Sequence, residues 1–189
     1  MTHITKRMAG ITIALSILML MTRGSHFSGF NALPEASWMI FMAAGALLPV
    51  WGFAWFMTLA VGIDAYAFTF GGVPGTCLSV AYAMLVPAHF AMWMAGKLSK
   101  PYLNGQISGS LMVFGLAMIG TALCELISSG SFYLWSGNFE PTMAEFISRE
   151  VAYAPAVFAS SAFWAVALIA VSVTVRAYLQ TKSPQAASH

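Results

Sequence analysis

The stretch between Ile63 and Tyr82, IDAYAFTFGGVPGTCLSVAY, carries a carboxylate, a thiol and a phenol between two long apolar segments. Cys77 stands where this stretch is predicted to become a helix. A thiol near a helix N-terminus tends towards the thiolate, which is the form that attacks electrophiles and binds metals. The glycines just before it allow a ligand to approach the backbone closely. Asp64 stands at the other end, and a carboxylate in or near a membrane is a functional candidate.

Each of these residues also has a purely structural interpretation. Cys77 can be a small apolar filler, and Asp64 can be a helix-end residue satisfied by water or backbone. Tyr82 follows Cys77 by about a turn and a half, where it can line the same site or simply pack. Cys124 lies within an apolar segment, which favours a packing role. A Cys77–Cys124 disulfide stays open, although a free Cys77 is favoured.

Further candidates are aromatic residues that alternate in the predicted loop and polar residues in the loop before it. The aromatic residues can stack on a planar ligand or anchor in the membrane interface; they are Tyr66, Phe68 and Phe70. The polar residues can close over a ligand; they are His26, Asn31 and Glu35. His89 has no evident carboxylate partner and is predicted to be a packing residue in the inner half of its helix. Arg149 is spaced to pair with Glu145.

The composition predicts a helical membrane protein. Of 189 residues, 59% are hydrophobic and only 7% are charged, whereas soluble domains carry about 25% charge. The apolar runs are continuous rather than alternating, which favours helices over a barrel. The sequence lacks the spaced ligands of a closed zinc site, a glycine-rich phosphate loop, and the basic clusters of a nucleic-acid partner.

We predict six transmembrane helices in one domain, residues 1–189, separated by three long outer loops. The helices are expected at about 6–23, 35–48, 50–63, 77–97, 106–129 and 151–180, and the outer loops at 23–34, 63–77 and 129–150. The first run also fits a signal peptide, but no small-residue cleavage site follows it. The segment 35–63 is divided at Pro49, and a single kinked helix is the alternative.

The distribution of charge indicates how this all-α fold is oriented, with both termini in the cytoplasm. In that orientation six basic residues lie inside: Lys6, Arg7, Lys97, Lys100, Arg176 and Lys182. Only Arg23 and Arg149 lie outside, so the positive-inside rule is satisfied. A five-helix arrangement would move Lys97 and Lys100 outside. The long outer loops then converge over one end of the bundle, which predicts a cup that captures a ligand.

Two loop motifs carry a resemblance to a known family. The BtuM family is resembled by two motifs. One is HFSGFNALPEAS, which begins in the first outer loop, and the other is Asp64 followed by GGVPGTCLSVAY, which begins in the outer loop 63–77. These proteins are solitary S components of energy-coupling-factor (ECF) transporters and are linked to cobalamin uptake in Gram-negative bacteria. The resemblance covers most of the chain in layout and two loops in motif. It implies an S-component fold in the bacterial inner membrane, with the substrate site facing the periplasm.

The resemblance also implies a ligand and its contacts. In that family a cysteine at the Cys77 position binds cobalt, and a carboxylate and a tyrosine matching Asp64 and Tyr82 line the site. A thiolate is a soft, strong donor, and the corrin cobalt offers two axial positions. We therefore expect base-off cobalamin, and we hypothesise that Cys77 promotes loss of an upper cyanide. Cobalamin is the expected cargo, with no separate metal or nucleotide cofactor.

Three alternatives stay open. The chain can be an S component for another small vitamin, a membrane-embedded thiol enzyme, or a structural membrane subunit without a ligand. The expected partners are a corrinoid, the lipid bilayer and an ATPase-bearing ECF coupling module. S components that share such a module often show Ala-x-x-x-Ala on helix one. The nearest match here is Gly10-x-x-x-Ala14, which still allows close helix approach.

Overall fold

The structure is a computed structural model that describes residues 2–23, 33–71, 80–137 and 139–181. These residues form six α-helices and two short 3-10 turns, and they include no strand. The helices are α1 (Thr2–Arg23), α2 (Ser37–Leu47), α3 (Trp51–Phe70), α4 (Leu85–Ser99), α5 (Ile107–Trp135) and α6 (Met143–Thr181). The 3-10 turns, Val80–Met84 and Lys100–Tyr102, stand before and after α4.

Four of the described helices, α1, α3, α5 and α6, are long and apolar enough to cross a membrane. The other two are shorter than the roughly 20 residues that one crossing needs, since α2 has 11 residues and α4 has 15. By length and composition, the chain is therefore a helical membrane protein. This confirms the all-helical, membrane-embedded part of the prediction.

The short helix α2 forms the centre of the bundle. Nine of its eleven residues are buried, as expected of a helix that is apolar on every face. Phe41 is fully buried, and its ring contacts Phe53 and Phe56 from α3 and His89 from α4. The core thus consists of α2 with helices packed around it.

Two glycines bring the backbones of α2 and α4 into direct contact. A Cβ atom added at Gly96 would lie 1.9 Å from the carbonyl oxygen of Met42. A Cβ added at Gly45 would lie 2.2 Å from the carbonyl oxygen of Trp93. Small residues allow membrane helices to approach this closely, and no larger residue fits at either position.

Basic side chains lie at one end of the bundle. Lys97 donates a hydrogen bond of 3.0 Å from Nζ to the Leu48 carbonyl, so the C-terminal ends of α2 and α4 meet. A Cβ at Gly105 would lie 3.5 Å from Cδ of Arg176, which places the turn before α5 beside the last part of α6. Arg23 stands at the far end of α1 from Lys6, next to the start of α2.

Helices α3, α5 and α6 are longer than predicted at the end that carries the predicted outer loops. No helix breaker stands between Asp64 and Phe70, so α3 continues to Phe70, and residues 64–70 are helical rather than part of a loop. The predicted outer loop 129–150 is reduced to residues 136–142.

Tyr133 explains the short connection between α5 and α6. Its hydroxyl accepts a 2.7 Å hydrogen bond from the Thr142 amide and lies against the carbonyls of Glu140 and Thr142.

The regular helix α4 begins later than predicted, at Leu85 rather than at residue 77. That start places Pro87 in the first turn, where the missing amide costs no intrahelical hydrogen bond.

Candidate functional site

Asp64 forms a two-pronged ion pair with Arg23. Arg23 Nε lies 2.8 Å from Oδ1 of Asp64, and Nη2 lies 2.7 Å from Oδ2. The side chains are only 11% and 13% exposed. The planar guanidinium matches both carboxylate oxygens, which makes this one of the stronger kinds of polar contact. The pair joins the C-terminal end of α1 to the C-terminal part of α3.

Glu35, Ser37 and Tyr82 complete this group. We call the five residues the Asp64 cluster: Arg23, Glu35, Ser37, Asp64 and Tyr82. The Tyr82 hydroxyl donates a 2.7 Å hydrogen bond to Oδ2 of Asp64. Arg23 Nη1 donates to Ser37 Oγ at 3.1 Å and lies 3.4 Å from Oε1 of Glu35. Arg23 is also the last residue of α1, where a cation interacts favourably with the helix dipole.

A polar cavity of about 490 Å³ lies beside the Asp64 cluster. Arg23 and Glu35 belong to both, and the polar part of the remaining wall consists of His89, Ser128, Ser160 and Ser161. The volume falls within the range of small-molecule sites. Because most of the surrounding bundle is apolar, this concentration of polar side chains at one end marks the candidate site.

Helix α6 closes one side of the polar cavity through two hydrogen bonds to the segment before α2. Ser160 Oγ donates to the Glu35 carbonyl at 2.8 Å, and Trp164 Nε1 donates to the Pro34 carbonyl at 3.0 Å. These bonds position Glu35 at the cavity wall. The site therefore depends on residues far apart in sequence.

Tyr66 and Phe70 lie on a different face of α3. They are 67% and 75% exposed, and their ring centroids are 5.3 Å apart. With Leu20 and Trp55 they line a mostly apolar groove of about 790 Å³. Neither residue lines the polar cavity, so their predicted role in ligand binding stays a prediction. Phe68 lies nearer, with its ring centroid 6.4 Å from that of Tyr82.

Several predicted residues lie outside the described ranges, namely Cys77, His26 and Asn31. The predicted cobalt ligand and the open Cys77–Cys124 disulfide are therefore not addressed by the geometry. Cys124 is fully buried and forms no disulfide within the described residues, which fits a packing role. Within the described residues, no group of three His, Cys, Asp or Glu side chains is placed to hold a metal ion.

The sequence interpretation missed Arg23 and His89, together with the serines of the Asp64 cluster and of the cavity wall. Arg23 was treated only as an outward charge, although an isolated carboxylate in an apolar bundle requires a counter-charge. His89 was predicted to be a packing residue of the inner half. It lies one turn into α4 and lines the polar cavity. A histidine in so apolar a helix is a signal, but only the packing shows what it faces.

The predicted Glu145–Arg149 ion pair and a buried carboxylate, Glu125, lie elsewhere in the bundle. The Glu145–Arg149 pair is present, with Arg149 Nη2 2.7 Å from Oε1 of Glu145, and the guanidinium also lies over the ring of Phe139. Glu125 is buried, and its Oε1 accepts a 2.9 Å hydrogen bond from Ser129. Neither Glu125 nor Arg149 lines the polar cavity.

Comparison with known proteins adds no family assignment: no protein-family model matches the chain, and no curated protein matches it either. The chemistry of the site therefore stands on its own residues. A buried ion pair, a phenol and a polar cavity at one end of the bundle can bind and orient a polar ligand. Nothing in this set resembles a nucleophile with its base, and the thiol of Cys77 lies outside the described residues.

Proposed function

We propose that this chain binds cobalamin or a related corrinoid for uptake across a bacterial inner membrane. The proposed fold is that of an ECF S component, with six transmembrane helices and both termini in the cytoplasm. The end that carries the Asp64 cluster would then face the periplasm. The polar cavity beside this cluster supports the proposal, because ligand sites are concave and place few polar groups among apolar ones.

The hydrogen bond between Tyr82 and Asp64 is the observation that carries the proposal. Asp64 precedes the segment containing Cys77, and Tyr82 follows it. Their 2.7 Å contact ties the two ends of that segment together, and Arg23 holds the carboxylate from the other side. A binding residue is most effective when its supporting groups are already positioned. The cluster thus provides a rigid base for the residue proposed to bind cobalt.

Cys77 is the proposed axial ligand to cobalt. Its thiolate would occupy the lower face, so that cobalamin binds with its nucleotide base detached. Strong donation would weaken the bond to an upper cyanide on the opposite face. The Co–C bond would then break with both electrons leaving on cyanide, which takes a proton from water. Cobalt stays in the same oxidation state, so no reductant is needed.

The exposed face of α1 that carries Gly10 and Ala14 is the proposed site for a coupling partner. Gly10 and Ala14 are both exposed, and no atom lies within 4 Å of a Cβ added at Gly10. Two small residues spaced four apart on one helix allow another helix to approach closely. An ATPase-bearing module would dock here, within the lipid bilayer.

The visible absorbance of the purified protein tests the proposed function. Titration with cyanocobalamin should shift the corrin bands of the wild type towards those of a thiolate-ligated, base-off species and release cyanide. Cys77→Ala should lose both effects, because it removes the sulfur donor. Cys124→Ala is the matched control, and its spectrum should equal that of the wild type.

Other outcomes separate the alternatives. If Cys77→Ala gives the wild-type corrin spectrum and the same cyanide release, cobalt ligation by Cys77 is wrong. A wild type that binds no corrinoid at all rejects the proposed function. Retained affinity of Cys77→Ala for a different vitamin would indicate another S-component substrate, and catalytic turnover of a product would indicate a thiol enzyme.

A further inference from the structure

His89 is a buried histidine whose tautomer is determined by its backbone. The residue is 1% exposed, and Nδ1 lies 2.6 Å from the carbonyl oxygen of Leu85. A carbonyl can only accept a hydrogen bond, so Nδ1 must carry the proton. In the neutral ring, Nε2 then has no proton and presents a lone pair.

This lone pair has no hydrogen-bond partner among the residues that the structure describes. Within the described part of the chain, only two buried side-chain polar atoms lack a hydrogen-bond partner, His89 Nε2 and Thr121 Oγ1. His89 lines the polar cavity, whereas Thr121 does not. Buried polar atoms in proteins are nearly always paired. An unpaired acceptor on a residue that lines the polar cavity therefore indicates a site for a group that donates a hydrogen bond.

The surroundings favour an uncharged donor over a cation. The guanidinium of Arg23 and the carboxylate of Glu35 line the same cavity with opposite charges, so the wall offers no net negative charge to hold a cation, and the described residues include no group of three metal-ligating side chains. Ser128 and Ser161 also line the cavity, and a hydroxyl can donate or accept. A group with both an N–H donor and a C=O acceptor matches this wall. A carboxamide has both.

We propose that His89 Nε2 accepts a hydrogen bond from a carboxamide of the bound ligand, with serine hydroxyls serving its carbonyl. This inference rests on the proposed function, since cobalamin carries carboxamide side chains around its ring. A whole corrinoid exceeds the roughly 490 Å³ of the polar cavity. The cavity would therefore take a peripheral amide arm while the ring lies outside it.

Affinity measurements on paired ligands and paired variants test this proposal. One ligand is cobinamide, which keeps the ring amides, and the other is the corrin heptamethyl ester, which lacks every N–H donor on the ring periphery. His89→Leu should weaken cobinamide binding about tenfold, the effect of one lost hydrogen bond, and should leave ester binding nearly unchanged. His89→Gln, which keeps an acceptor near the Nε2 position, should restore most of the affinity.

Thr121→Val is the matched control, because it removes the other unpaired buried atom outside the cavity. It should leave the amide-to-ester preference unchanged. A ¹⁵N NMR spectrum of the histidine-labelled protein provides a direct readout. Cobinamide should move the Nε2 resonance of His89 more than the Nδ1 resonance, whereas a merely structural histidine would show no such difference.

Four results would overturn the proposal. Equal loss of both ligands in His89→Leu would make the residue structural, and unchanged cobinamide affinity would show that water alone satisfies Nε2. In either case the wild type still binds corrinoid, so the proposed function survives. If the wild type binds neither ligand, both proposals fail. Should His89→Leu not fold, the ester comparison with Ser161→Ala decides, and an unchanged preference there counts against the amide site.

Discussion

The ion pair between Arg23 and Asp64 is the energetic centre of the candidate site. The sequence contains only 14 formally charged side chains, 8 basic and 6 acidic, and this pair is largely removed from solvent. Burying two charges is expensive, and their attraction offsets this only when the geometry is good. The fork-to-fork contact at 2.7 and 2.8 Å meets that condition. Its value lies in orienting Asp64 rather than in net stability.

Breaking the pair should therefore be costly, whereas replacing it should not. We expect Asp64→Asn to destabilise the protein by about 3 kcal/mol, because it leaves the mostly buried charge of Arg23 with only its longer, 3.4 Å contact to Glu35. The double variant Arg23→Met/Asp64→Leu should regain most of this stability. Reversible unfolding in mixed micelles measures both.

Glu145→Gln is the control for this prediction. It breaks the exposed Glu145–Arg149 pair, whose side chains are 40% and 38% exposed, and should cost less than about 0.5 kcal/mol. A similar loss in the Glu145 and Asp64 variants would show that the Asp64 pair is no more buried in energetic terms than a surface contact.

The contact between α2 and α4 determines where His89 lies. Because Gly45 and Gly96 let the two backbones touch, the ring of His89 packs 4.3 Å from Phe41 in the core. The same contact holds α4 at a fixed height, with Lys97 on the Leu48 carbonyl. The polar cavity thus depends on packing at a seam that contains no polar group of the site.

Substitution at this seam should be far more harmful than substitution elsewhere in the bundle. We expect Gly96→Ala to destabilise the protein by at least about 2 kcal/mol, since overpacking shifts the backbone and a Cβ would lie 1.9 Å from a carbonyl oxygen. The melting temperature in detergent reports this.

Gly115→Ala provides the comparison, because no atom lies within 4 Å of a Cβ at that position in α5. It should be neutral or stabilising by up to about 1 kcal/mol, as alanine favours helix over glycine. If the two alanine variants melt at the same temperature, the described closeness of α2 and α4 is wrong.

The whole molecule has two chemically different ends. Lys97 and Arg176 lie at one end, and the Asp64 cluster lies at the other. Basic residues are retained on the cytoplasmic side of membrane proteins. The folded arrangement of these charges is therefore compatible with the predicted orientation and would direct the polar cavity to the periplasm.

Thiol labelling of intact cells tests this orientation. In a Cys77→Ala/Cys124→Ala background, a membrane-impermeant maleimide should label Glu140→Cys directly. It should label Gln106→Cys only after the membrane is permeabilised. Both positions are exposed, so a difference reflects sidedness rather than burial. The opposite labelling pattern would reverse the proposed topology.

Much of the fold was predictable because it depends on local composition. Apolar runs of about 20 residues and few charges predict membrane helices directly, and all six described helices overlap the predicted segments. Their ends were less predictable. The extension of α5 and the early start of α6 depend on Tyr133 reaching the Thr142 amide, which is a contact between elements rather than a property of either.

The candidate site divides in the same way. The sequence alone singles out Asp64 and Cys77, because carboxylates and thiols are few in so apolar a chain, and it singles out Tyr82 because this residue follows Cys77 closely. The partnership of Asp64 with Arg23, 41 positions away, depends on α1 and α3 lying side by side. Helix rotation and packing likewise decide that Tyr66 and Phe70 are exposed and that His89 lines the polar cavity. Such rotation arises from long-range contacts, which the order of residues within one segment does not encode.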